Sequence, residues 1–472
     1  MDGAWLRDGG REQLEVINPA TGAVIGLLPV ATVEDIDLAV SSAQRAFLQW
    51  RDVTPLERAK VLQSIAMRIH NAALALAHII TLEQGKCLRE SLQEVHNTAD
   101  TFEWMAEEGK RTYGRIVPAR LSNVDQYVLH EPVGPVAAFS PWNFPAVLAC
   151  RKVATALAAG CTIVIKPAEE TPGIMLAIAR ICEEAGLPRG ALNVLYGVPS
   201  QISERLIDAA AIKKISFTGS VPVGRELAVR AAQGLKKITL ELGGHSPVIV
   251  MDDVDVQKVV ALTLAAKFRN AGQLCLCPTR FFVHDRVHDA FASQLSDAAS
   301  ALRLGNGLDD QVQMGPLANH RRITAMQQFC ADASDRGSRI HVGGEIPKDQ
   351  SRGYFFKPTV ISNLPADASV MTKEVFGPLA LVTRFDDLSQ ALEQANNTEF
   401  GLASYGFTNS ISAARQIERT LQAGNFSLNT YSVSAPEMPF SGIKNSGLGH
   451  EMGSEGLMEH MNIKAVVRAV WN

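Results

Sequence analysis

The chain has 472 residues, with 45 Lys and Arg against 49 Asp and Glu, which gives a formal net charge of −4 at neutral pH. This slightly acidic balance argues against a nucleic-acid or anionic-membrane partner, since such partners usually require a strongly basic face. A hydrophobic fraction of 46%, and a length that allows roughly three folding units, favour an enzyme that acts on a small molecule.

The seven cysteines form no zinc-type pairs, and no secretory signal opens the chain. Such cysteines are typical of reduced thiols in a cytoplasmic protein. The longest nearly uncharged stretch, residues 132–150, contains three prolines after its first residue and cannot form an uninterrupted spanning helix. The sequence therefore predicts a soluble cytoplasmic protein without a membrane partner.

The first hundred residues are predicted to be helical. Thr54 followed by Pro55 is typical of a helix start, and apolar residues then recur at helical spacing. These apolar residues are Leu62, Ile65, Ala66 and Ile69. The same periodicity predicts a second long helix from Leu88 to Phe102.

From Val133 the pattern changes to short apolar runs that alternate with helices. The runs are VGPVAAF, CTIVIK, ALNVLYG, KKISF and KKITLEL. Continuous apolar strands separated by helices predict a buried, mostly parallel sheet, and such sheets bind ligands at the carboxyl ends of their strands. A second α/β set is predicted from about residue 244 to residue 440.

Two segments fit neither α/β set. They are residues 116–133 and residues 463–472, where AVVRAVW predicts a strand. We interpret them as a candidate oligomerisation arm, whose strands pair with each other or with another subunit.

Cys275 is the most informative single residue. It lies in GQLCLC, between a glycine-bearing turn and an apolar segment, as expected for a thiol exposed at the bottom of a cleft. A lone cysteine is more often a buried structural residue. Three further segments favour the catalytic interpretation.

Asn143 stands between aromatic residues and prolines in SPWNFP, where a rigidly held amide can donate to a developing oxyanion. Glu241 ends an apolar strand in LELGG, beside a tight turn. FTGSVPVG, with Gly219 and Gly224, predicts a strand, a turn and a helix whose first N–H groups suit a phosphate. It lacks the Lys-Ser/Thr of a P-loop, which disfavours ATP chemistry. Taken singly, these segments also fit an ordinary turn, cap or surface acid.

Together the segments resemble the aldehyde dehydrogenase superfamily over essentially the whole chain. The motifs SPWNFP, IKPAEETP, FTGS, ELGG, FRNAGQLC, EVFGP and PFSGIKNSG occur in the family's order. The resemblance implies an α/β fold with a modified Rossmann cofactor domain, an α/β catalytic domain and a β oligomerisation arm. The corresponding ranges are 1–115 and 134–243, then 244–458, then 116–133 and 459–472. It also implies a homodimer or homotetramer.

The resemblance assigns the catalytic roles residue by residue. Cys275 would be the nucleophile, Asn143 and the Cys275 N–H would form the oxyanion hole, and Glu241 would be the general base. A thiolate attack on the aldehyde would give a thiohemiacetal, and loss of hydride would leave a thioester. The base would then activate the water that releases the acid.

The resemblance also implies a nicotinamide cofactor. Lys166 and Glu169 would handle the adenosine ribose, and the Glu169 carboxylate would accept hydrogen bonds from a free 2'-OH but repel a 2'-phosphate. We therefore expect NAD, with NADP less favoured. The other residues assigned to the cofactor are Trp142, Gly219, Ser220, Gly224, Leu242, Glu374 and Phe376.

Within the superfamily the chain is most similar to the succinate-semialdehyde branch. Arg151 and Arg269 match positions that bind the distal carboxylate of the substrate there, and Ser434 would add a hydroxyl. The alternative is that both arginines pair with protein acids. His245 and Pro278 are also similar to enzymes for α-ketoglutarate semialdehyde, and glutarate semialdehyde or a broader aldehyde range stays open because one methylene discriminates weakly.

Three further interpretations follow from the sequence. Cys277 matches a position that forms a reversible disulfide with the catalytic thiol in some relatives, although the sequence slightly favours a small apolar packing residue. His284 and His288 lack a third ligand, so we expect a solvated face rather than a metal site. The rival classes are a non-catalytic nucleotide-binding protein and a dehydrogenase that acylates coenzyme A; Glu241 argues against the second.

Overall fold

The computed structural model describes residues 3–6, 9–349 and 352–469. The strands, in chain order, are β1 (Gln13–Ile17), β2 (Val24–Pro29), β3 (Arg115–Val117), β4 (Val124–Pro132), β5 (Val136–Phe139), β6 (Ile163–Lys166), β7 (Leu192–Val194), β8 (Lys214–Thr218), β9 (Lys237–Glu241), β10 (Ser246–Val250), β11 (Pro278–His284), β12 (Arg339–Val342), β13 (Thr359–Ser362), β14 (Leu379–Phe385), β15 (Ala403–Phe407), β16 (Asn425–Leu428), β17 (Gly447–Leu448) and β18 (Met461–Ala469).

The α-helices, in chain order, are α1 (Val33–Trp50), α2 (Pro55–Asn71), α3 (Ala73–Gln84), α4 (Leu88–Glu108), α5 (Val147–Ala159), α6 (Pro172–Glu184), α7 (Pro199–Asp208), α8 (Val221–Gln233), α9 (Val256–Lys267), α10 (Asp285–Ser300), α11 (His320–Asp335), α12 (Ser369–Thr372), α13 (Leu388–Asn396), α14 (Ile411–Thr420) and α15 (Gly453–Met458). No single helix among the described residues is long and apolar enough to cross a membrane; α2 and α3 meet that measure only as a pair bent by 72°.

The first α/β sheet has the strand order β17-β9-β8-β5-β6-β7, and all its pairs are parallel except β17 with β9. Helices α2 to α6 cover one face, and α1, α7 and α8 contribute to the core on the other. The chain leaves β5 in one direction toward β6 and returns to β8 on the other side. This reversal creates a crevice at the carboxyl ends of β5 and β8, the usual place for a ligand.

The second α/β sheet has the order β12-β13-β14-β11-β10-β15-β16 and is parallel except at β12. Its own hydrophobic core lies under α9, α10 and α11. The connection from β9 to β10, residues 242–245, joins the two sheets. Leu242 at this junction packs into the core of the first sheet.

A third, antiparallel sheet consists of β18, β4 and β3. The two segments set apart by the sequence thus pair with each other, with Met461 opposite Pro132 and Ala469 opposite Val124. Ile116 and Ile463 are strongly exposed on these strands. The last residues of the predicted strand, 470–472, lie outside the described residues.

The predicted helix start at Thr54 and Pro55 is confirmed. Thr54 caps α2 through a reciprocal capping box with Glu57, and Pro55 occupies its first turn. The prediction of a wholly helical N-terminal region is wrong, because β1 and β2 form an antiparallel hairpin. Its turn is closed by the Asn18 side chain, which accepts from Ala20 N at 2.9 Å, and by Gly22 at a φ of 70°.

The expectation of a solvated face at His284 and His288 is also wrong. His288 is buried, and its Nδ1 lies 2.9 Å from the Asp289 carboxylate and 3.1 Å from Arg384. His284 caps α10, since its Nδ1 accepts from Arg286 N at 3.3 Å. Both histidines therefore have structural partners.

Candidate active site

Cys275 lies between the short 3₁₀ turn at Arg269–Gly272 and the start of β11. Its side chain is partly exposed, and burial raises the pKa of its thiol to about 12, with Glu374 and Glu241 acting in the same direction and Arg151 against them. The thiol therefore rests protonated in this environment. A base must take its proton when it attacks.

Glu241 ends β9 beside the junction of the two sheets. Its side chain is only 3% exposed, and neither carboxylate oxygen has a hydrogen-bond partner among the described residues. Burial raises the pKa of Glu241 well above its usual range, the charge of Glu451 adds to this, and Lys152 and Arg151 oppose it. A buried carboxyl with a raised pKa and no partner is suited to exchange a proton in a reaction.

The nucleophile and this carboxyl are brought together by a close backbone contact. A Cβ added to Gly244 would lie 2.3 Å from the Cys275 carbonyl oxygen, so only glycine fits here. On the other side of the strand, β17 pairs with β9, with Gly447 opposite Glu241. The PFSGIKNSG segment therefore buttresses the carboxyl-bearing strand.

Asn143 follows β5 and is buried. Its Nδ2 donates to the Gln273 carbonyl at 3.0 Å, within the nucleophile loop. The backbone carbonyl of Asn143 accepts from Lys86 Nζ at 2.6 Å and from Asn270 Nδ2 at 3.0 Å. The side-chain amide has a second N–H to offer. The residue is thus held at its side-chain Nδ2 and at its backbone carbonyl oxygen.

The two arginines lie on different elements near this centre. Arg151, on α5, donates from Nη2 to Ser434 Oγ at 2.8 Å, and its Nε has no hydrogen-bond partner within the part of the chain that the structure describes. Its guanidinium lies 5.3 Å from the Phe440 ring centroid, and that of Arg269 lies 5.3 Å from the Phe144 ring centroid. Among the described residues, neither arginine forms an ion pair with a protein acid.

The cofactor residues follow the crevice of the first sheet. Trp142 and Phe376 face each other edge to face at 5.6 Å, and Lys166 forms an ion pair with Glu169 beyond the end of β6. Ser220 precedes α8, whose amino end has no side-chain cap. Its first N–H groups are therefore open to an anion.

Glycines and one acid complete this crevice. A Cβ at Gly224 would lie 2.5 Å from Leu242, and one at Gly219 would lie 2.4 Å from the Phe217 ring. Glu374 accepts from Gly244 N at 3.1 Å, and burial raises the pKa of its carboxyl to about 7. The two glycines therefore allow close packing of Leu242 and the Phe217 ring beside the uncapped start of α8.

A model of the aldehyde dehydrogenase family matches residues 5–466. The chain belongs to the aldehyde dehydrogenase family. The predicted superfamily and fold class are thereby confirmed, and the protein is an NAD(P)-dependent oxidoreductase of aldehydes. This family match argues against the non-catalytic alternative.

Two relatives show which dehydrogenases this chain is similar to in sequence. It is 47% identical over 464 residues, 98% of this chain and 96% of the relative, to a putative 4-(hydroxymethyl)benzenesulfonate dehydrogenase of Comamonas testosteroni. It is 41% identical over 464 residues, with the same coverage of 98% and 96%, to the NADP-dependent succinate-semialdehyde dehydrogenase of Escherichia coli. A crystal structure of an E. coli NADP-dependent enzyme matches with a TM-score of 0.97 and 41% identity, covering 100% of this chain and 97% of that one.

Several residues of the aldehyde dehydrogenase site carry no sequence signal of their own. Lys152 forms an ion pair with Glu451 and donates to Ser216 Oγ at 3.0 Å, under the Glu241 carboxyl. Arg322 donates to the carbonyl of Phe376 at 3.0 Å and holds that residue at a φ of 46°. These side chains come from distant segments. Only tertiary packing brings them to the motifs they support.

Cys277 is buried, and Lys267 Nζ lies 3.3 Å from its Sγ. The same ammonium donates to the Gly377 carbonyl at 3.1 Å. Both Cys275 and Cys277 are free thiols in this structure. The disulfide between them stays a prediction.

Proposed function

We propose that this aldehyde dehydrogenase oxidises a short aldehyde with a distal anionic group, succinate semialdehyde in the first place, to the corresponding dicarboxylic acid. The observation that supports it is Arg151, a half-buried cation with a hydrogen bond to the Ser434 hydroxyl and an Nε that has no partner among the described residues. A guanidinium of this kind binds a carboxylate through two parallel hydrogen bonds. Arg269 would supply the second positive charge.

The chemistry begins at Cys275. As the sulfur attacks the aldehyde carbon, the thiol releases its proton to solvent, and the resulting oxyanion accepts hydrogen bonds from the Asn143 amide and the Cys275 N–H. A nicotinamide held in the crevice of the first sheet would supply the acceptor for the hydride that leaves the aldehyde carbon. The carbonyl that re-forms is a thioester on Cys275.

Hydrolysis of this thioester requires Glu241 in its ionised form. Its carboxylate takes a proton from water, the water oxygen attacks the thioester carbon, and the carbon–sulfur bond breaks as Cys275 leaves with the proton that Glu241 had accepted. Because neither carboxylate oxygen is engaged by the residues that the structure describes, both are free to accept from that water. The product is the free acid, and coenzyme A is not needed.

A second candidate substrate is an aryl sulfonate aldehyde. The relative at 47% identity is named for 4-(hydroxymethyl)benzenesulfonate, an alcohol whose oxidation first gives 4-formylbenzenesulfonate. The aromatic rings of Phe440 and Phe144 lie 5.3 Å from the Arg151 and Arg269 guanidinium groups, respectively, and would pack against a benzene ring. A sulfonate presents three oxygens to the same cations.

A panel of kcat/KM values tests the substrate proposal. It contains succinate, glutarate and α-ketoglutarate semialdehydes and 4-formylbenzenesulfonate, with acetaldehyde and benzaldehyde as uncharged controls. We expect the preferred anionic aldehyde to exceed the controls by at least about 100-fold, since hydrogen bonds to charged groups contribute about 1.5–3 kcal/mol each. Equal rates on the controls contradict the anion site, and the order of the anionic substrates decides between the two candidates.

For the cofactor we propose NAD over NADP, with Lys166 and Glu169 at the adenosine ribose. The Glu169 carboxylate supports this, while the Lys166 ammonium that pairs with it would tolerate a phosphate. The named E. coli relative uses NADP. Comparing kcat/KM for NAD and NADP, in wild type and Glu169→Gln, measures the preference; a wild-type preference for NADP contradicts the proposal.

We also keep the domain division as a proposal. The cofactor domain would comprise residues 1–115 and 134–243, the catalytic domain 244–458, and the arm 116–133 and 459–472. The separate sheets and cores support it, and the exposed Ile116 and Ile463 on the arm favour pairing with a second subunit. Analytical ultracentrifugation checks the expected dimer or tetramer, and a monomer contradicts it.

A further inference from the structure

A set of charged residues at the start of α4 is buried against the active site without taking part in the proposed chemistry. We call Lys86, Glu90 and Glu94 the α4 anchor. Lys86 and Glu94 are both 0% exposed, and their side chains form an ion pair at 2.6 Å. Removing two charges from water is costly, so a fully buried pair is weak evidence for added stability.

The α4 anchor holds the loop that carries Asn143 at two points. Lys86 Nζ donates to the Asn143 carbonyl at 2.6 Å. The Glu94 carboxylate accepts from Ala146 N at 2.9 Å and from Val147 N at 3.3 Å, at the amino end of α5. One ion pair therefore fixes both the peptide of Asn143 and the helix start that follows it.

The same anchor reaches the nucleophile loop. Both oxygens of Glu90 accept from Asn270 N at 3.3 Å, and the Asn270 side chain donates to the Asn143 carbonyl at 3.0 Å. Asn270 and Ala271 have φ values of 47° and 51°, which non-glycine residues adopt only where the surroundings impose them. The oxyanion loop and the nucleophile loop are thus fastened to one helix.

We propose that Lys86, paired with Glu94, is a positioning residue that aims the Asn143 amide at the oxyanion. The proposal rests on the function proposed above, in which Asn143 is an oxyanion donor. The backbone carbonyl of Asn143 accepts from two donors, Lys86 and Asn270. The Lys86 ammonium also lies 3.8 Å from the ring centroid of Phe144, the residue that follows Asn143. Without the ammonium the peptide is held from one side only. A small displacement of the Asn143 amide would slow the reaction, because a misplacement of about 1 Å can slow an enzyme about 100-fold.

The test uses the double variant Lys86→Met/Glu94→Gln. Both members of the ion pair leave together, so neither is left buried without the other, and the glutamine oxygen can still accept from Ala146 N. We expect kcat to fall about 10- to 100-fold, while KM changes less than about threefold, since the substrate is bound but misaligned.

Lys214→Met is the matched control. Lys214 is equally buried, and its ammonium donates to Thr239 Oγ1 at 2.6 Å, away from the Asn143 loop. It should lower the melting temperature by a similar amount but keep kcat. If Lys214→Met slows turnover as much as the double variant, the effect is general loosening and the proposal is overturned.

A cycle with Asn143→Ala separates positioning from structure. If Lys86 acts through Asn143, the double variant should cost less than about threefold in kcat once Asn143 is already alanine. The same fold loss in both backgrounds overturns the positioning role and leaves the oxyanion assignment intact. If Asn143→Ala alone leaves kcat unchanged, the oxyanion assignment fails and the proposal fails with it.

Discussion

Glu94 and Glu241 are two buried glutamates of the same site, and they differ in one respect. Glu94 has its oxygens occupied by an ammonium and two backbone N–H groups, whereas neither oxygen of Glu241 has a hydrogen-bond partner in the described part of the chain. The Glu94 carboxylate is held in one place by these charge-assisted hydrogen bonds. The Glu241 carboxylate lacks such bonds, and burial raises the pKa of Glu241. In the proposed mechanism the partnered glutamate holds the loops in place, and the unpartnered glutamate exchanges a proton.

Cys275→Ala should have the largest effect. Without the thiol no thiohemiacetal or thioester forms, so turnover and the burst of NADH should both vanish while the fold persists. Initial-rate and rapid-mixing assays measure this, with circular dichroism as the folding check. Normal turnover in the variant would remove the covalent mechanism.

Glu241→Gln and Glu94→Gln sharpen the comparison directly. Glu241→Gln should lower kcat by about 10²- to 10⁴-fold through slow deacylation, keep the NADH burst, and leave the melting temperature unchanged or higher. Glu94→Gln should instead destabilise the protein, because breaking a buried ion pair costs about 3–5 kcal/mol. Loss of the NADH burst in Glu241→Gln would contradict the deacylation role of Glu241. A wild-type melting temperature in Glu94→Gln would contradict the structural role of Glu94.

The pH dependence of deacylation follows from the raised pKa of Glu241. The carboxyl is the base only when ionised, so kcat should fall as the pH drops through its raised pKa and level off above it. Glu241→Gln should lack this acid limb. If kcat of Glu241→Gln still falls at low pH, the fall is caused by the titration of another group.

Asn143→Ala should slow the reaction about 10²- to 10³-fold without abolishing it, because one of two oxyanion donors remains. The loss should appear in the rate of the burst, which reports the thiohemiacetal step. Asn143→Asp is the control, since a carboxylate of the same shape would repel the oxyanion. A burst at the wild-type rate in Asn143→Ala would contradict the assignment.

Arg151→Met should lower kcat/KM for the preferred anionic aldehyde about 10- to 100-fold, the value of a charge-assisted hydrogen bond. Benzaldehyde serves as the internal control, because its rate should hardly change. A parallel loss on both substrates would mean that Arg151 supports the fold instead of the substrate.

Cys277→Ser should have the smallest effect, visible only after oxidation. If peroxide joins the two thiols as a disulfide with release of water, dithiothreitol should restore wild type but not the variant. Without peroxide the two proteins should have equal kcat. Identical recovery of both would leave Cys277 as a packing residue beside Lys267.

The sequence predicted what local patterns can encode. The capped start of α2, the buried strand β6 and the strand-turn-helix at Gly219 all follow from short-range signals. The hairpin of β1 and β2 was missed because its strands are short and partly exposed. Lys86 and Glu94 were missed for a different reason: charged residues on a helix predict a solvated face, and only α5 and the Asn143 loop bury them.

Gly244 sets a limit on how this site can change. Two separately packed cores meet there backbone to backbone, with the place of a Cβ taken by the Cys275 carbonyl. Such a junction has no side chain that could be exchanged to adjust it. The proposed anion site, in contrast, is built from side chains on a helix and a loop, Arg151 and Ser434. If it binds the substrate as proposed, substitutions there would change the preferred aldehyde while the backbone contact at Gly244 stays as it is.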